Sequence, residues 1–166
     1  MQKLRILFVC LGNICRSPMA EGLFTHKVSE AGLTDFFEID SCGTGAWHAG
    51  ERADVRMRET ADSHGIALTS IARQVQTTDF SRFDYILPMD DSNLINLQRF
   101  VSRMNNAKAT LVKMRFFDSE QPNADVPDPY YGGADGFEEV YRILDRSTQA
   151  FLEFLVEKHE LVPQQS

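Results

Sequence analysis

Residues 4–17 read LRILFVCLGNICRS, and two kinds of pattern meet in this stretch. Leu4 to Val9 is almost continuously apolar, which is typical of a short strand buried on both faces of a parallel sheet. From Pro18 onward the apolar residues recur with helical spacing instead, and Ser17 and Gly32 suit the N-cap and the stop of that helix. The intervening residues are therefore predicted to form a loop that joins a buried strand to the N-terminus of a helix.

Strands and helices alternate along the rest of the chain. An alternation of this kind predicts an α/β fold in which a parallel sheet is flanked by helices on both faces. Ligands of such sheets bind beyond the carboxyl ends of the strands, and the loop after the first strand lies at such an end. Further strands are predicted at Phe37 to Ser41, Tyr85 to Pro88 and Ala109 to Met114, and helices at Asp54 to His64, at Asp91 to Met104 and around an apolar stripe from Phe137 to Leu155.

The length and composition are those of a soluble globular protein. The 166 residues suit a single domain spanning 1–166, with 43% hydrophobic and 25% charged residues. The formal net charge of −7 argues against a general binder of nucleic acid or of anionic membranes. The longest apolar run near the N-terminus, Ile6 to Leu11, is too short to span a membrane, and no signal peptide is recognisable. A cytoplasmic location is therefore expected, where the three cysteines would stay free thiols.

The loop from Cys10 to Ser17 combines the residue types of an anion site with a candidate nucleophile. The N–H groups at a helix N-terminus bind anions, and Gly12 and Asn13 readily adopt the left-handed backbone angles that a curled loop requires. Arg16 adds a planar guanidinium that can hold two oxygens of a phosphate group. The same positive field favours the thiolate of Cys10, which could attack phosphorus. The loop lacks the lysine and the longer glycine-framed spacing of a Walker-type ATP site.

This loop, followed by Pro-Met-Ala-Glu, resembles the signature of the low-molecular-weight protein tyrosine phosphatases. The nucleophile and the phosphate-holding arginine of that family, six residues apart, match Cys10 and Arg16. The resemblance implies a four-stranded parallel sheet and a phosphatase that hydrolyses phosphotyrosine in proteins through a phosphocysteine intermediate. It implies no cofactor and no metal. Similar family blocks match residues 40–45, 73–74, 83–90 and 126–130.

The resemblance also assigns roles to residues around this pair. Asp128, which its proline-rich surroundings would allow to be an ordinary turn residue, matches the general acid and base of the family. Trp47, Tyr130 and Tyr131 match aromatic walls that favour aryl phosphates. The phosphate-binding loop comprises Leu11, Gly12, Asn13, Ile14, Cys15 and Ser17 in addition to Cys10 and Arg16.

Further matches concern residues that support the loop. Asn13 and Ser41 match family positions that brace the loop through a hydrogen bond, and Asp90 matches an acidic residue that orients Arg16. Ser17 is expected to donate a hydrogen bond to the Cys10 sulfur; its competing role is to cap the helix, and its hydroxyl could do both. Ser70 stands where many members carry a histidine, so the bracing network is expected to differ here.

Three other functions were weighed against the tyrosine phosphatase. Arsenate reductases share the fold but need two later cysteines, and no cysteine follows Cys42. Protein-arginine phosphatases carry a threonine where Ile14 stands, and an apolar side chain at this position suits an aryl phosphate better. An inactive phosphotyrosine-binding module is not supported, because Cys10, Arg16 and Asp128 are all present. The arginine phosphatase is the main alternative.

The two remaining cysteines receive different interpretations. Cys15 lies close to Cys10 in the loop, so we hypothesise that the two form a reversible disulfide under peroxide. Cys42 is interpreted as a structural residue. Nothing in the sequence indicates an assembly of several copies, and a monomer is expected.

Overall fold

Four parallel strands form one sheet at the centre of the computed structural model, which describes residues 2–130 and 133–163. The strand order in the sheet is β2-β1-β3-β4, so the first strand lies in the interior of the sheet. The predicted four-stranded parallel sheet is thereby confirmed. The strands are β1 (Leu4–Cys10), β2 (Phe37–Gly43), β3 (Tyr85–Pro88) and β4 (Thr110–Leu111), and the helices are α1 (Arg16–Glu30), α2 (Val55–Ser63), α3 (Asp79–Arg82), α4 (Asp91–Val101) and α5 (Ala134–His159).

Both faces of the sheet are covered by helices, as the apolar β1 sequence predicted. Ile6 and Phe8 of β1 point into a core shared with α1, α2 and α5. In that core the ring of Phe24 contacts three other phenylalanine rings at centroid distances of 5.3 to 5.7 Å. Leu7 and Val9 point the other way, into a second core shared with α3 and α4. Burial on both faces fixes β1, and with it the position of the loop that follows.

The start of α1 differs from the prediction. The helix begins at Arg16 with Cys15 at the N-cap position, and no side chain caps it. Ser17 is therefore not the N-cap but the second residue of the helix, and its hydroxyl bonds with Cys10 and Asn13 instead. The stop at Gly32 agrees with the prediction, since this glycine adopts a left-handed φ of 71° just after the helix.

Two other elements are shorter than predicted. Helix α4 ends at Val101 rather than Met104, because the N–H groups of Arg103 and Met104 bond to carbonyls three residues back in a tightened turn. Strand β4 covers only Thr110 and Leu111. Residues on either side of β4 make other contacts: the Ala109 N–H bonds to Phe80, and Met114 starts a 3₁₀ turn.

Helix length also bears on membrane association. Within residues 2–130 and 133–163, no helix is both long enough and apolar enough to cross a bilayer.

Candidate active site

A cavity of about 360 Å³ opens beyond the carboxyl end of β1. Its walls come from three parts of the chain that are far apart in sequence: the loop after β1, the loop after β2 and the loop that precedes α5. Every lining residue except His48 was a predicted site residue. The lining residues are Cys10, Leu11, Gly12, Ile14, Cys15, Arg16, Trp47, His48, Asp128 and Tyr130.

The loop after β1 curls around the sulfur of Cys10. Asn13 has a left-handed φ of 58°, and this turn brings its own N–H to 3.2 Å from the Cys10 Sγ. The Ser17 Oγ lies 3.0 Å from the same sulfur on the other side. N–H groups from the end of β2 hold the start of the loop, at Thr44 on the Cys10 carbonyl and at Gly45 on the Leu11 carbonyl. Two polar groups of the loop, the Asn13 N–H and the Ser17 hydroxyl, thus contact the Cys10 sulfur.

A chain of polar side chains lies behind the loop. The Asn13 Nδ2 donates hydrogen bonds to Ser17 Oγ at 2.8 Å and to Ser41 Oγ at 3.0 Å. Because Ser17 accepts from Asn13, its own hydroxyl proton is free to point at Cys10 or at the Cys42 carbonyl. The expected contact between Asn13 and Ser41 is therefore present in the structure.

The far end of this chain is a residue that the sequence analysis missed. Ser41 Oγ donates to the carboxyl of Glu21 on α1. Burial raises the pKa of Glu21 to about 7. The sequence offered no signal for this role, because a glutamate in the second turn of a helix is ordinarily a solvated residue.

Arg16 is buried beneath the pocket and is held by acceptors on two sides. Its side chain is 2% exposed. Nη1 donates to Asp90 Oδ2 at 2.8 Å and to the Val126 carbonyl at 2.9 Å. Burial alone would lower the pKa of Arg16, but the negative charges of Cys10 and Asp90 outweigh it and raise the pKa. The structure therefore brings Asp90 into direct contact with the Arg16 guanidinium.

Asp128 makes the contact of a turn aspartate and also lies beside Arg16 in the cavity, so both interpretations of its sequence segment fit its position. Its Oδ1 accepts a hydrogen bond from the Tyr130 N–H at 3.0 Å, as a turn aspartate does. Its Oδ2 lies 3.6 Å from Arg16 Nη2, and the side chain is 38% exposed. The turn thus holds the carboxyl at the rim of the cavity that contains Cys10.

Aromatic side chains stand at the mouth of the cavity. Trp47 is 72% exposed, and its ring lies so close to Gly45 that a Cβ atom there would come within 1.7 Å of it. The ring of Tyr130 packs near His48, with centroids 5.9 Å apart, and the Arg56 guanidinium lies 5.5 Å from the Tyr130 centroid. Tyr131, the third predicted wall, lies outside the described residues.

Two buried cysteines flank the site. Cys15 lines the cavity, whereas Cys42 lies in the core on the α3 and α4 side of the sheet. Burial raises the pKa of both thiols, so both are uncharged near neutral pH. Over the described part of the chain, no cluster of three or more His, Cys, Asp or Glu residues is arranged to hold a metal ion.

Comparison with known proteins places this geometry in a family. The family model for low molecular weight phosphotyrosine protein phosphatases matches residues 5–161. This chain belongs to that family. The low molecular weight phosphotyrosine protein phosphatase of Schizosaccharomyces pombe is 48% identical over 154 residues, covering 91% of this chain and 96% of the yeast protein. The resemblance inferred from the Cys10 loop is therefore confirmed.

Solved structures of similar proteins share the fold. A protein tyrosine phosphatase from Entamoeba histolytica superposes with a TM-score of 0.87 at 40% identity, covering 96% of this chain and all of that one. A Drosophila arginine phosphatase superposes with a TM-score of 0.85 at 31% identity, covering 91% of this chain and 97% of that one. Structures of this fold thus include phosphatases named for two different phosphorylated side chains, tyrosine and arginine.

Proposed function

We propose that this protein is a phosphatase that hydrolyses phosphotyrosine in proteins through a phosphocysteine intermediate on Cys10. One observation carries the proposal: a single cavity holds the Cys10 sulfur, the buried guanidinium of Arg16 and the carboxyl of Asp128. These are a nucleophile, a cation for phosphate oxygens and a proton donor, which together are the parts that a covalent phosphoryl transfer needs.

The first step transfers the phosphoryl group to the enzyme. The loop N–H groups and Arg16 bind the three non-bridging oxygens, where negative charge concentrates in the transition state. The Cys10 thiolate attacks phosphorus, so that an S–P bond forms while the bond to the tyrosine oxygen breaks. Asp128 gives its proton to that oxygen, which leaves as the neutral phenol.

The second step releases inorganic phosphate. A water molecule attacks the phosphocysteine, and the Asp128 carboxylate accepts a proton from it. The S–P bond breaks and the thiolate of Cys10 returns. Ser17 supports this departure, because its hydroxyl lies 3.0 Å from the sulfur and can donate a hydrogen bond to the developing negative charge.

The pocket favours an aryl ester over a phosphorylated guanidine. Trp47 and Tyr130 provide flat apolar surfaces for a phenyl ring. Ile14 lines the same cavity with an apolar side chain and offers no hydroxyl to hold a polar group or to orient water. We therefore assign phosphotyrosine as the substrate and keep phosphoarginine as the alternative that the experiment has to exclude.

The wider setting follows from the same chemistry. A thiolate nucleophile needs a reducing compartment, which supports a cytoplasmic location. The net charge of −7 argues against nucleic acid or anionic membranes as partners. We propose that the protein acts as a monomer and that residues 1–166 form a single phosphatase domain, which is supported by a family match that extends over residues 5–161.

Site-directed variants test the assignment of roles. We expect Cys10→Ser to abolish hydrolysis of phenyl phosphate, and Asp128→Ala to lower kcat/KM for the same substrate by about 10² to 10⁴, because phenolate leaves only when it is protonated. Asp62→Ala, which removes an exposed carboxylate from α2, serves as the matched control and should leave kcat/KM unchanged. Turnover that survives Cys10→Ser would exclude the phosphocysteine mechanism.

Two peptides of identical sequence, one with phosphotyrosine and one with phosphoarginine, test the substrate. We expect a higher kcat/KM for the phosphotyrosine peptide. A preference for phosphoarginine would make this chain an arginine phosphatase that uses the same site.

A further inference from the structure

A buried lysine lies at the base of the loop that carries Asp128. This acid loop, residues 118–128, leaves the 3₁₀ turn after β4 and runs up to the rim of the cavity. Lys113 stands just before that turn, and its side chain is only 6% exposed. Lysine is almost never buried to this extent unless its charge is paired, so its partners indicate what it holds in place.

All three N–H groups of the Lys113 ammonium have acceptors. Nζ donates to Asp91 Oδ1 at 2.8 Å, to the Asn123 carbonyl at 2.9 Å and to Asp125 Oδ1 at 2.8 Å. The Asp91 N–H also donates to Asp125 Oδ1, at 3.0 Å. Lys113 thereby joins the first residue of α4 to two points on the acid loop.

Two arginines hold the adjacent points of the loop. Arg115 Nη1 donates to the Asp125 carbonyl at 2.9 Å, and its other nitrogens pair with Asp118 at the start of the loop. Arg16 donates to the Val126 carbonyl at 2.9 Å. Three cations thus hold the loop at residues 123, 125 and 126, and the last of these points is two residues from Asp128.

The same contacts connect the acid loop to Arg16 through α4. Asp90 and Asp91 are neighbours at the start of that helix, and they bond to Arg16 and to Lys113 respectively. Movement of the acid loop relative to the phosphate-binding loop would therefore stretch contacts at both residues.

We propose that Lys113 is a positioning residue, which holds the acid loop so that the Asp128 carboxyl can reach the leaving oxygen of the substrate. The proposal rests on the proposed role of Asp128 as the general acid. Lys113 itself touches neither substrate nor reacting atoms.

The charges of this cluster persist over the neutral range. Burial alone would lower the pKa of Lys113, but its hydrogen bonds to Asp125 and Asp91 outweigh burial and raise it. The hydrogen bond from Lys113 in turn lowers the pKa of Asp125. Both partners therefore stay ionised at the pH values where a phosphatase would be assayed.

Leaving groups of different basicity reveal whether Asp128 is misplaced. 4-Nitrophenolate leaves without help from an acid, whereas phenolate has to be protonated as it departs. Methionine has a side chain of similar length to lysine but no charge. In the Lys113→Met variant we expect kcat/KM for phenyl phosphate to fall about tenfold. For 4-nitrophenyl phosphate we expect less than about a twofold fall. A residue that served only stability would lower both values by the same factor.

Two further variants separate positioning from other effects. In an Asp128→Asn background, Lys113→Met should cause no further loss with phenyl phosphate, because the group that it positions is already absent. Lys27→Met is the matched control: Lys27 forms a 2.8 Å ion pair with Asp145 between α1 and α5, away from the cavity. It should leave the ratio between the two substrates unchanged.

A milder variant keeps the test usable if Lys113→Met does not fold. Asp91→Ala removes one acceptor of the Lys113 ammonium at a side chain that is largely exposed. This variant should lower kcat/KM for phenyl phosphate more than kcat/KM for 4-nitrophenyl phosphate, and by a smaller factor than Lys113→Met does.

Equal losses on both substrates, or a further loss in the Asp128→Asn background, would overturn the positioning role. Activity that survives Cys10→Ser would overturn the proposed function instead, so the two failures are distinguishable.

Discussion

Glu21 titrates near neutral pH, and hydrogen bonds connect its carboxyl to the phosphate-binding loop. Its carboxyl accepts from Ser41, which in turn accepts from Asn13 beside the Cys10 sulfur. The pKa of Glu21 is raised to about 7, and burial is the largest cause. The charge of Asp40 also raises this pKa, whereas the hydrogen bond from Ser41 lowers it. The folded protein therefore carries this carboxyl largely protonated at pH values where the unfolded chain carries it ionised.

This difference predicts the pH dependence of stability. As the pH rises from 4.5 to about 7, Glu21 ionises in the unfolded chain first, so the folded state loses stability over this window. Glu21→Gln removes the effect. Above about pH 7 we expect the variant to exceed wild type in free energy of unfolding, on the order of 2 kcal/mol after allowing for partial solvent screening. Below pH 4.5 this difference should vanish.

Urea unfolding at about pH 4, 6 and 8 measures this difference. Glu59→Gln, on the exposed face of α2, is the control and should show a difference that does not change with pH. If the difference between Glu21→Gln and wild type were the same at all three values, Glu21 would have an ordinary pKa in the folded protein.

Among the structural elements, the loop between β2 and α2 depends on a close approach of Trp47 to Gly45. A Cβ atom at Gly45 would overlap the Trp47 ring, and the ring is exposed enough to swing away. In Gly45→Ala we therefore expect the aromatic wall to move while the fold stays intact. KM for an aryl phosphate should rise about threefold to tenfold, with kcat and the free energy of unfolding nearly unchanged.

A second variant checks that this effect passes through the indole ring. Trp47→Ala should raise KM in the same direction, and adding Gly45→Ala to it should change little. A fall in kcat without a change in KM would mean that Gly45 matters through the neighbouring Cys10 loop, which its N–H also holds.

For the molecule as a whole, features decided by nearby residues in the sequence were predicted correctly, whereas features decided by contacts between distant segments were not. β1, the loop after it and the stop of α1 were predictable, because burial on both sheet faces and a left-handed glycine leave local patterns. The ends of α4 and β4 were not, since contacts to Phe80 and a tightened turn decide them. Residues whose roles depend on partners far along the chain, such as Glu21 and Lys113, could not be assigned those roles from the sequence.

The same contrast between local and distant residues holds for the cavity. Cys10 and Arg16 belong to one loop and could be assigned from their spacing. Asp128, Trp47 and Tyr130 reach the cavity from distant segments, and only the resemblance to a family indicated them. His48 lies next to Trp47 in the sequence and was still missed, because one histidine in a loop has many ordinary roles.

The central claim is that a covalent phosphoryl group passes through Cys10, and trapping that group tests it most directly. Asp128→Ala slows the attack of water on the intermediate but not the departure of 4-nitrophenolate, which needs no acid, so the phosphorylated enzyme should accumulate during turnover of 4-nitrophenyl phosphate. Rapid acid quenching followed by peptide mass spectrometry locates the modification. We predict one phosphoryl group on the Cys10 sulfur, and none in the Cys10→Ser variant. A phosphoryl group on any other residue, or turnover with no trapped group on Cys10, would contradict the account.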